Sequence, residues 1–390
     1  MSKYGPDLQR EVYQREVATE FPMSFGVWEE QAHNILGEAA FDYVAGGAGL
    51  EKTMQANLAA CDRWRIRPRM LRGAEERNLE TSVLGTSSAA PFLLAPVGVQ
   101  SIVHPEAEVA VARAAAAMGI PFILSTVSST TIEDVAAAMG NAPHWFQLYP
   151  LKLSDVVGSF LKRAEKAGYS AVVVTLDTTL PGYRPRDLRK GYLPFTRGIG
   201  VGNFVSDPVF RKLLPDHFEE QPRAAGAAYL EHAFFPGLSW KDIDAIRKQT
   251  DLPLLLKGIT HPEDAKLALK HDVQGIIVSN HGGRQVDGAI GALDALPEVC
   301  EAVQGKIAVL MDSGIRTGGD IFKATALGAA AVLVGRPYVY GLAVGGERGV
   351  RQVIRNLMAE LDLELVLSGY RSIVELDRSA LVPAERRHDL

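Results

Sequence analysis

Polar side chains end several short apolar segments of this sequence, and their types suit acid–base chemistry on a bound small molecule. The segment 171–177 reads AVVVTLD, and Thr175 and Asp177 share one face at its end because they are two residues apart. The other polar residues that end an apolar segment in this way are Gln147, Tyr149, Lys257, His281, Arg284, Asp312, Arg316 and Arg336. If these segments are strands of one sheet, all of these side chains meet at a single rim.

Each of the candidate catalytic residues also has a structural interpretation. Asp177 could cap a turn, and Lys257 could extend its ammonium group into water. A lysine that is buried at the end of an apolar strand, however, requires an anionic or electron-rich partner. His281 by itself would indicate little, but the two glycines after it allow a substrate to approach the backbone closely. We interpret these three residues as functional, whereas His104 and His261 precede helix starts and are interpreted as structural.

Two glycine-containing turns predict a phosphate-binding site. The sequence SGIRTGG occupies 313–319 and GRP occupies 335–337, after the seventh and eighth predicted strands. Backbone N–H groups at such turns and at helix N-termini bind phosphate, and Arg316 and Arg336 add positive charge. The glycine-rich sequence GIGVG at 198–202 does not lie between a strand and a helix, so we reject it as a dinucleotide-binding motif.

The elements that must position these residues alternate between strands and helices from residue 90 onwards, which is typical of βαβ units. The predicted strands are 92–97, 122–125, 145–148, 171–176, 254–257, 275–279, 308–311 and 331–334. The predicted helical segments include 25–36, 41–57 with a break at Gly46 and Gly47, 107–118, 132–139, 155–167, 262–270 and 320–327. Since there are eight strands and nearly all are apolar on both faces, the sequence predicts a closed parallel (β/α)8 barrel, the TIM barrel.

We expect a single domain over 1–390. It comprises an N-terminal helical extension (1–88), the barrel (89–374) and a C-terminal tail (375–390). Between the fourth and fifth strands lie about seventy residues rich in Pro, Gly, Phe and Arg. A structureless segment of that length is uncommon unless it is a lid or a binding loop, so 178–250 is predicted to be a long loop at the active site.

Composition and charge exclude several classes of protein. Of the 390 residues 47% are hydrophobic, and the net charge of −5 with mixed signs argues against a nucleic-acid partner. Cys61 and Cys300 provide no disulfide framework, and no residue spacing predicts a metal site. The N-terminus lacks the apolar region of a signal peptide, and Arg113 and Arg336 interrupt the longest apolar runs. We therefore expect a cytoplasmic protein with no membrane partner.

The motifs taken together resemble those of the FMN-dependent L-2-hydroxy-acid oxidising family, which includes glycolate oxidase and lactate oxidase. The motifs that carry the resemblance are LKGI at 256–259, SNHGGRQ at 279–285 and DSGIRTGGD at 312–320. The resemblance extends from about residue 25 to residue 374. Within the family it is greatest to the lactate 2-monooxygenases, through FDYVAGG at 41–47, RPRML at 67–71 and YRPRD at 183–187.

The resemblance implies a role for each candidate residue. His281 is implied to be the base and Asp177 to orient it, with Tyr149 on the substrate hydroxyl and Lys257 beside the flavin. The residues implied to hold the substrate carboxylate are Tyr43, Arg184 and Arg284. The residues implied to bind FMN are Ala95, Pro96, Val97, Gly98, Ser125, Gln147, Thr175, Lys257, Ser279, Asp312, Ser313, Gly314, Arg316, Gly335 and Arg336. Family members form tetramers or octamers, so a homo-oligomer is also expected.

The resemblance further implies a reaction with dioxygen. No cytochrome domain precedes the barrel, and no membrane-anchoring segment lies in the 178–250 loop, so O2 is the expected acceptor of electrons from a 2-hydroxy acid, most simply L-lactate. Gly98 stands where the oxidases usually have alanine and, having no Cβ, is expected to leave room beside the flavin for oxygen or a bound keto acid. The loop is long, and its residues Phe195, Arg197 and Phe204 are expected to close over the site. Both features match lactate 2-monooxygenase, which gives acetate, CO2 and water, and a glycine here also occurs in some mandelate dehydrogenases.

Several alternatives remain open. The nearest is a 2-hydroxy-acid oxidase that releases pyruvate and hydrogen peroxide. FMN-binding barrels of other classes include isomerases, inosinate-type dehydrogenases and a flavin-binding protein without activity. An inosinate-type enzyme needs a catalytic cysteine in a loop after a strand, but Cys61 and Cys300 lie in helical segments.

Overall fold

Eight parallel strands close into a barrel that helices surround. The computed structural model describes residues 3–16, 18–218 and 221–384. The strands are β1 (Trp64–Ile66), β2 (Thr81–Val83), β3 (Thr86–Ser88), β4 (Phe92–Leu94), β5 (Phe122–Leu124), β6 (His144–Leu148), β7 (Val172–Thr175), β8 (Leu254–Ile259), β9 (Gly275–Val278), β10 (Ala308–Met311), β11 (Ala331–Val334) and β12 (Leu381–Pro383). Strands β4 to β11 form the barrel in chain order, and β11 pairs with β4. The predicted TIM barrel is confirmed.

The α-helices alternate with the barrel strands and also precede them. They are α1 (Tyr4–Arg15), α2 (Phe25–Ile35), α3 (Glu38–Ala45), α4 (Lys52–Asp62), α5 (Ala107–Met118), α6 (Ile132–Met139), α7 (Ser154–Lys166), α8 (Pro185–Lys190), α9 (Gly202–Val205), α10 (Pro222–Ala233), α11 (Trp240–Arg247), α12 (Pro262–Ala268), α13 (Ala292–Val303), α14 (Gly318–Ala326) and α15 (Arg336–Ser368). Helix α15 is kinked at Gly345 and Gly346, where the backbone leaves helical geometry.

Alternate residues of the barrel strands pack into two different cores, which explains why the strands are apolar throughout. Leu93, Ile123 and Leu255 belong to the cluster inside the barrel, whereas Phe92 and Phe122 pack outward against the helices. Successive side chains of a strand point to opposite faces, so both faces must be apolar when both are buried. Only the residues at the carboxyl ends of the strands escape this requirement.

The sequence had suggested a helical N-terminal extension, but the extension also contains strands. Strand β1 pairs with β12, and β2 and β3 form an antiparallel hairpin. Val83 of this hairpin packs into the barrel interior, and the indole of Trp145 donates a hydrogen bond of 2.8 Å to Thr86. These strands form because tertiary partners are available for them. The helical segment expected over 41–57 is two helices, α3 and α4, and the break expected at Gly46 and Gly47 lies between them.

The segment between β7 and β8 is folded, which corrects the expectation of a structureless loop. Its described residues include α8 to α11 and the 3-10 helices Pro194–Arg197 and Phe210–Leu213. Phe204 lies in an aromatic cluster, with ring centroids 5.0 Å from Phe210 and 4.8 Å from Tyr229. Apolar burial therefore organises this segment. Residues 219 and 220, and the last six residues of the expected C-terminal tail, lie outside the described residues.

Within the described ranges, no helix is both long and apolar enough to cross a membrane. The same ranges contain no cluster of three or more His, Cys, Asp or Glu side chains suited to a metal ion.

A buried ion pair joins the extension to α15. The Nε of Arg77 lies 2.6 Å from a carboxylate oxygen of Asp362, and the two side chains are only 4% and 0% exposed. The same carboxylate accepts a hydrogen bond from the backbone of Gly5. The Asp362 carboxylate thus links α1, the segment after β1 and α15.

Replacing Arg77 with Ala should lower the free energy of unfolding by about 3–5 kcal/mol, because it removes the arginine that pairs with the buried Asp362 carboxylate. Urea denaturation followed by circular dichroism measures this loss. The control is Arg10→Ala, which breaks an ion pair whose side chains are 62% and 57% exposed and should change stability by less than about 0.5 kcal/mol. Equal effects of the two substitutions would contradict the assignment.

Candidate active site

A cavity of about 510 Å³ lies at the carboxyl ends of the barrel strands, where barrel enzymes place their active sites. Most of the residues singled out from the sequence line it. They are Tyr43, Ala95, Pro96, Val97, Gly98, Tyr149, Arg184, Lys257, His281, Arg284, Asp312, Ser313, Gly314, Arg316, Gly335 and Arg336. Its volume is within the range of sites for small molecules and cofactors.

The remaining candidates stand directly behind this lining. Asp177 contacts His281, and Ser279 accepts a hydrogen bond of 2.8 Å from the ammonium group of Lys257. Ser125 donates to the side-chain oxygen of Gln147 at 3.1 Å. Thr175 is buried at the end of β7, where it pairs in register with Lys257.

His281 and Asp177 form the titratable pair of the site. Nδ1 of His281 lies 2.8 Å from the Asp177 carboxylate, which also accepts a hydrogen bond of 3.2 Å from the hydroxyl of Thr178. Burial lowers the pKa of His281, although Asp177 acts in the opposite direction. Burial by itself raises the pKa of Asp177, but the charges of His281 and Lys257 lower it overall. The pair therefore combines a neutral imidazole with an ionised carboxylate.

The turn that carries His281 is held by residues that sequence reasoning missed. His281 and the next two glycines have φ values of 59°, 65° and 77°, a left-handed conformation that favours glycine. The side-chain oxygen of Asn280 accepts from the backbone of Gly283 at 3.1 Å. Asn280 and Asn57 exchange two side-chain hydrogen bonds of 2.9 and 2.7 Å. Asparagine next to a glycine-rich turn was the available signal for Asn280, whereas Asn57 lies in a helix and offered none.

Lys257 is buried between anionic groups. Its ammonium group lies 3.1 Å from the Asp312 carboxylate, and the two side chains are 6% and 9% exposed. Burial alone lowers the pKa of this lysine, but Asp312, Asp177 and Tyr149 raise it overall. Lys257 is therefore a fixed positive charge at the cavity wall.

Arg184 and Arg284 lie close together in the cavity lining. Arg284 donates to the backbone oxygens of Tyr43 and Gly46 at 2.5 and 2.9 Å, and its guanidinium lies 5.0 Å from the Tyr43 ring centroid. Arg184 donates to the backbone oxygen of Arg284 and to the side chain of Gln285. Burial and the charge of Arg184 lower the pKa of Arg284 to about 9. A bound anion would relieve this repulsion.

Arg316 and Arg336 flank the two glycine-containing turns. Arg336 donates to the backbone oxygens of Val44, Gly46 and Gly282, at 2.9 to 3.1 Å. Arg316 lies over the ring of Phe25, 4.5 Å from its centroid. Burial, followed by the charge of Arg336, lowers the pKa of Arg316 to about 10. Like the other arginine pair, these two carry charge that an anion would offset.

The folded segment after β7 supplies Phe195 to the cavity, as the sequence had suggested, together with residues that the sequence did not single out. Those that line the cavity include Thr178, Asp187, Tyr192, Phe195, Tyr229 and Phe234. Phe195 and Tyr229 are in contact, with ring centroids 4.9 Å apart. The segment thus forms an aromatic wall over the strand ends. Phe204 was expected to close over the site but is fully buried in the main hydrophobic core, and Arg197 stacks over Tyr192.

Comparison with known proteins identifies the family. The model of the FMN-dependent dehydrogenase family matches residues 32–383. The chain belongs to this family. Its relatives include an L-lactate oxidase of Lysinibacillus sphaericus, 43% identical over 363 residues that span 93% of each chain. Human 2-hydroxyacid oxidase 1 is 40% identical over 354 residues, which span 90% of this chain and 94% of the relative.

The solved structures give the same result. A crystal structure of mandelate oxidase superimposes with a TM-score of 0.83 and 39% sequence identity, covering 93% of this chain and 98% of that chain. The protein is therefore an FMN-dependent oxidoreductase that acts on 2-hydroxy acids.

The residues of this FMN-dependent dehydrogenase fit the cofactor. Among the described residues, the buried polar groups at the site that have no hydrogen-bond partner include the amide nitrogen of Gln147, the hydroxyl of Thr175 and the Nε of Arg316. Buried polar groups rarely remain unpaired. A flavin ring, which carries carbonyl oxygens and ring nitrogens, suits the first two, and a phosphate suits the third.

Gly98 does not leave open space beside the cofactor site, contrary to the expectation from the sequence. A Cβ atom added at Gly98 would lie 2.5 Å from Cγ2 and 2.7 Å from the backbone oxygen of Val127. That oxygen is held by the backbone N–H of Val99 at 2.9 Å. Glycine is required here because two loops pack against each other.

Gly98→Ala should therefore destabilise the protein by about 1–3 kcal/mol, the usual cost of overpacking. Urea denaturation of the FMN-free protein measures the effect. Gly26→Ala is the control, since an added Cβ at Gly26 in α2 meets nothing within 4 Å and should not reduce stability. If the alanine at position 98 caused no loss, the space beside it would be open to the cavity.

Proposed function

We propose that this protein oxidises L-lactate with dioxygen as the electron acceptor. The observation that carries the proposal is the composition of the cavity lining. A histidine–carboxylate pair, two arginines and two tyrosines face the same space as the buried Lys257. These groups suit a small anion that loses a proton and two electrons.

The substrate carboxylate binds to Arg184, Arg284 and Tyr43 in this proposal. Within the described residues, Arg284 donates to backbone oxygens through Nη1, which leaves its Nη2 and Nε for a bidentate pair with a carboxylate. The lowered pKa of Arg284 supports this assignment, because a bound carboxylate offsets the repulsion between the two guanidinium groups.

His281 takes the proton that the substrate loses. Because Nδ1 faces Asp177, Nε2 is the ring nitrogen that accepts the proton. Asp177 stabilises the imidazolium that forms and keeps the ring oriented. Tyr149 donates a hydrogen bond to the substrate hydroxyl; its pKa is raised to about 12, chiefly by burial and then by the charge of Asp177, so the phenol stays protonated.

FMN supplies the chemistry of two-electron acceptance at this site. Lys257 provides the positive charge that favours the electron-rich form, and Asp312 keeps this ammonium in place. Gln147, Thr175, Ser125 and the segment 95–98 hold the ring. The phosphate binds at Gly314, Arg316, Gly335 and Arg336, with Ser279 and Ser313 supporting Lys257 and Asp312.

Replacing His281 with Gln should slow anaerobic bleaching of the yellow protein by L-lactate about 10²–10⁴-fold, because the general base is lost. The FMN content should be unchanged. Stopped-flow absorbance under nitrogen measures the rate. The control is His261→Gln, which alters a residue that caps α12 and does not line the cavity. A nearly native rate in the His281 variant would refute the assignment, and no bleaching of the unmodified protein by any 2-hydroxy acid would favour a flavin binder.

The rate of this bleaching should decrease at acidic pH with a midpoint below the usual histidine pKa of about 6.5. The rate should fall towards acidic pH because the lowered pKa of His281 keeps this base unprotonated at neutral pH. Asp177→Asn removes the carboxylate that opposes this shift, so the midpoint should move to still lower pH while the maximum rate falls. Rates measured across a pH series test this expectation. A midpoint well above 6.5 would contradict it.

The fate of the product is the second part of the proposal. We propose monooxygenation, in which lactate and O2 give acetate, CO2 and water, because the aromatic wall of Phe195 and Tyr229 covers the cavity and slows product release. The alternative is release of pyruvate and hydrogen peroxide. The 43% identity to an L-lactate oxidase favours this alternative.

A product balance under air, with catalase present, distinguishes the two outcomes. If the oxidised product stays in the cavity, the products should be mainly acetate and CO2. Phe195→Leu should then shift the products towards pyruvate, because it opens the wall. Phe235→Leu is the matched control, since Phe235 is adjacent in sequence to the lining residue Phe234 but is not itself part of the lining. Stoichiometric pyruvate from the unmodified protein would establish the oxidase alternative.

A further inference from the structure

Glu108 in α5 is a fully buried carboxylate that the proposed reaction does not use. Its side chain is 0% exposed. One oxygen accepts hydrogen bonds from the backbone N–H groups of Gln100 at 3.2 Å and Ser129 at 3.0 Å. The other accepts a hydrogen bond of 2.7 Å from the hydroxyl of Thr130. Burying a carboxyl group costs desolvation free energy, so we look for a role that an apolar side chain could not fill.

The groups that bind Glu108 belong to two different loops. Gln100 lies in the loop after β4, which contains the cavity residues 95–98, and Ser129 and Thr130 lie in the loop after β5. The two loops also contact each other, through the backbone bond from Val99 to Val127 and a hydroxyl bond of 2.9 Å from Ser129 to Ser101. The carboxylate joins the loops at the point where they turn away from the barrel.

A chain of hydrogen bonds continues from this point to the cavity wall. The side-chain amide of Gln100 donates to the backbone oxygen of Val97 at 2.9 Å and to the hydroxyl of Tyr338 at 3.1 Å. Tyr338 in turn donates to the backbone oxygen of Ala95 at 2.8 Å. Two carbonyl groups of the segment 95–98 are thus fixed by a buried network in which Glu108 holds the backbone of Gln100.

We propose that Glu108 is a positioning residue for FMN, which fixes the segment 95–98 as a rigid wall of the cofactor site. It acts through Gln100 and Tyr338 and does not contact the cavity itself. Preorganising this wall removes the cost of ordering it when the cofactor binds. The inference rests on FMN binding alone and does not depend on lactate as the substrate.

Glu108→Ala tests the proposal through the dissociation constant of FMN, measured by titrating FMN-free protein and following flavin fluorescence. We expect it to increase about tenfold or more, the factor that corresponds to roughly one net hydrogen bond. Glu108→Gln should restore binding to within about threefold, because its amide oxygen can accept both backbone bonds and its nitrogen can donate to Thr130. The control is Glu106→Gln, which changes an exposed carboxylate two residues away.

The visible circular dichroism of bound FMN should also change in Glu108→Ala and return in Glu108→Gln. Native FMN affinity and spectrum in Glu108→Ala, whether or not the protein loses stability, would overturn the proposal. If Glu108→Ala does not fold, Tyr338→Phe decides instead. Tyr338 does not line the cavity, and this variant removes one hydroxyl and with it the bonds to Gln100 and Ala95, so weaker FMN binding supports the proposal and unchanged binding refutes it.

Discussion

The buried ion pair between Lys257 and Asp312 sets the electrostatic conditions of the site. An ammonium group inside a barrel is costly unless an anion lies beside it, and here the Asp312 carboxylate is 3.1 Å away. This fixed positive charge then helps to keep Asp177 ionised and His281 neutral, since it lowers the pKa of both. The register of the barrel strands brings these groups together. Lys257 lies in β8, and Asp177, His281 and Asp312 come just after the ends of β7, β9 and β10.

The N-terminal extension supports this arrangement from both ends of the barrel. The hairpin of β2 and β3 closes the amino-terminal end, with Val83 inside the barrel. At the carboxyl-terminal end, α3 brings Tyr43 to the cavity and α4 brings Asn57 to the turn of His281. The extension is therefore part of the active site, and the Arg77–Asp362 pair anchors it to the last long helix.

The segment after β7 is organised by the burial of apolar side chains. Phe204, Phe210 and Tyr229 pack together and join the main hydrophobic core through Phe160 of α7, so the wall that faces the cavity is carried by packed helices. Such a wall moves less readily than an open loop, because displacing one aromatic ring disrupts the contacts of the others. The site thus lies between two preorganised surfaces, the aromatic wall and the network that begins at Glu108.

The sequence by itself determined the barrel and most of the residues that meet in its cavity. This was possible because strand periodicity is local, and a parallel barrel brings every strand's carboxyl end to one rim. Only the tertiary structure decided how those residues are held. The Asn57–Asn280 exchange joins side chains 223 residues apart, and the neighbour that excludes a side chain at Gly98 is Val127 of another loop. The hairpin at the base of the barrel likewise exists only against its partners. Contacts of this kind depend on which elements pack together in space, and no local pattern of residues records that.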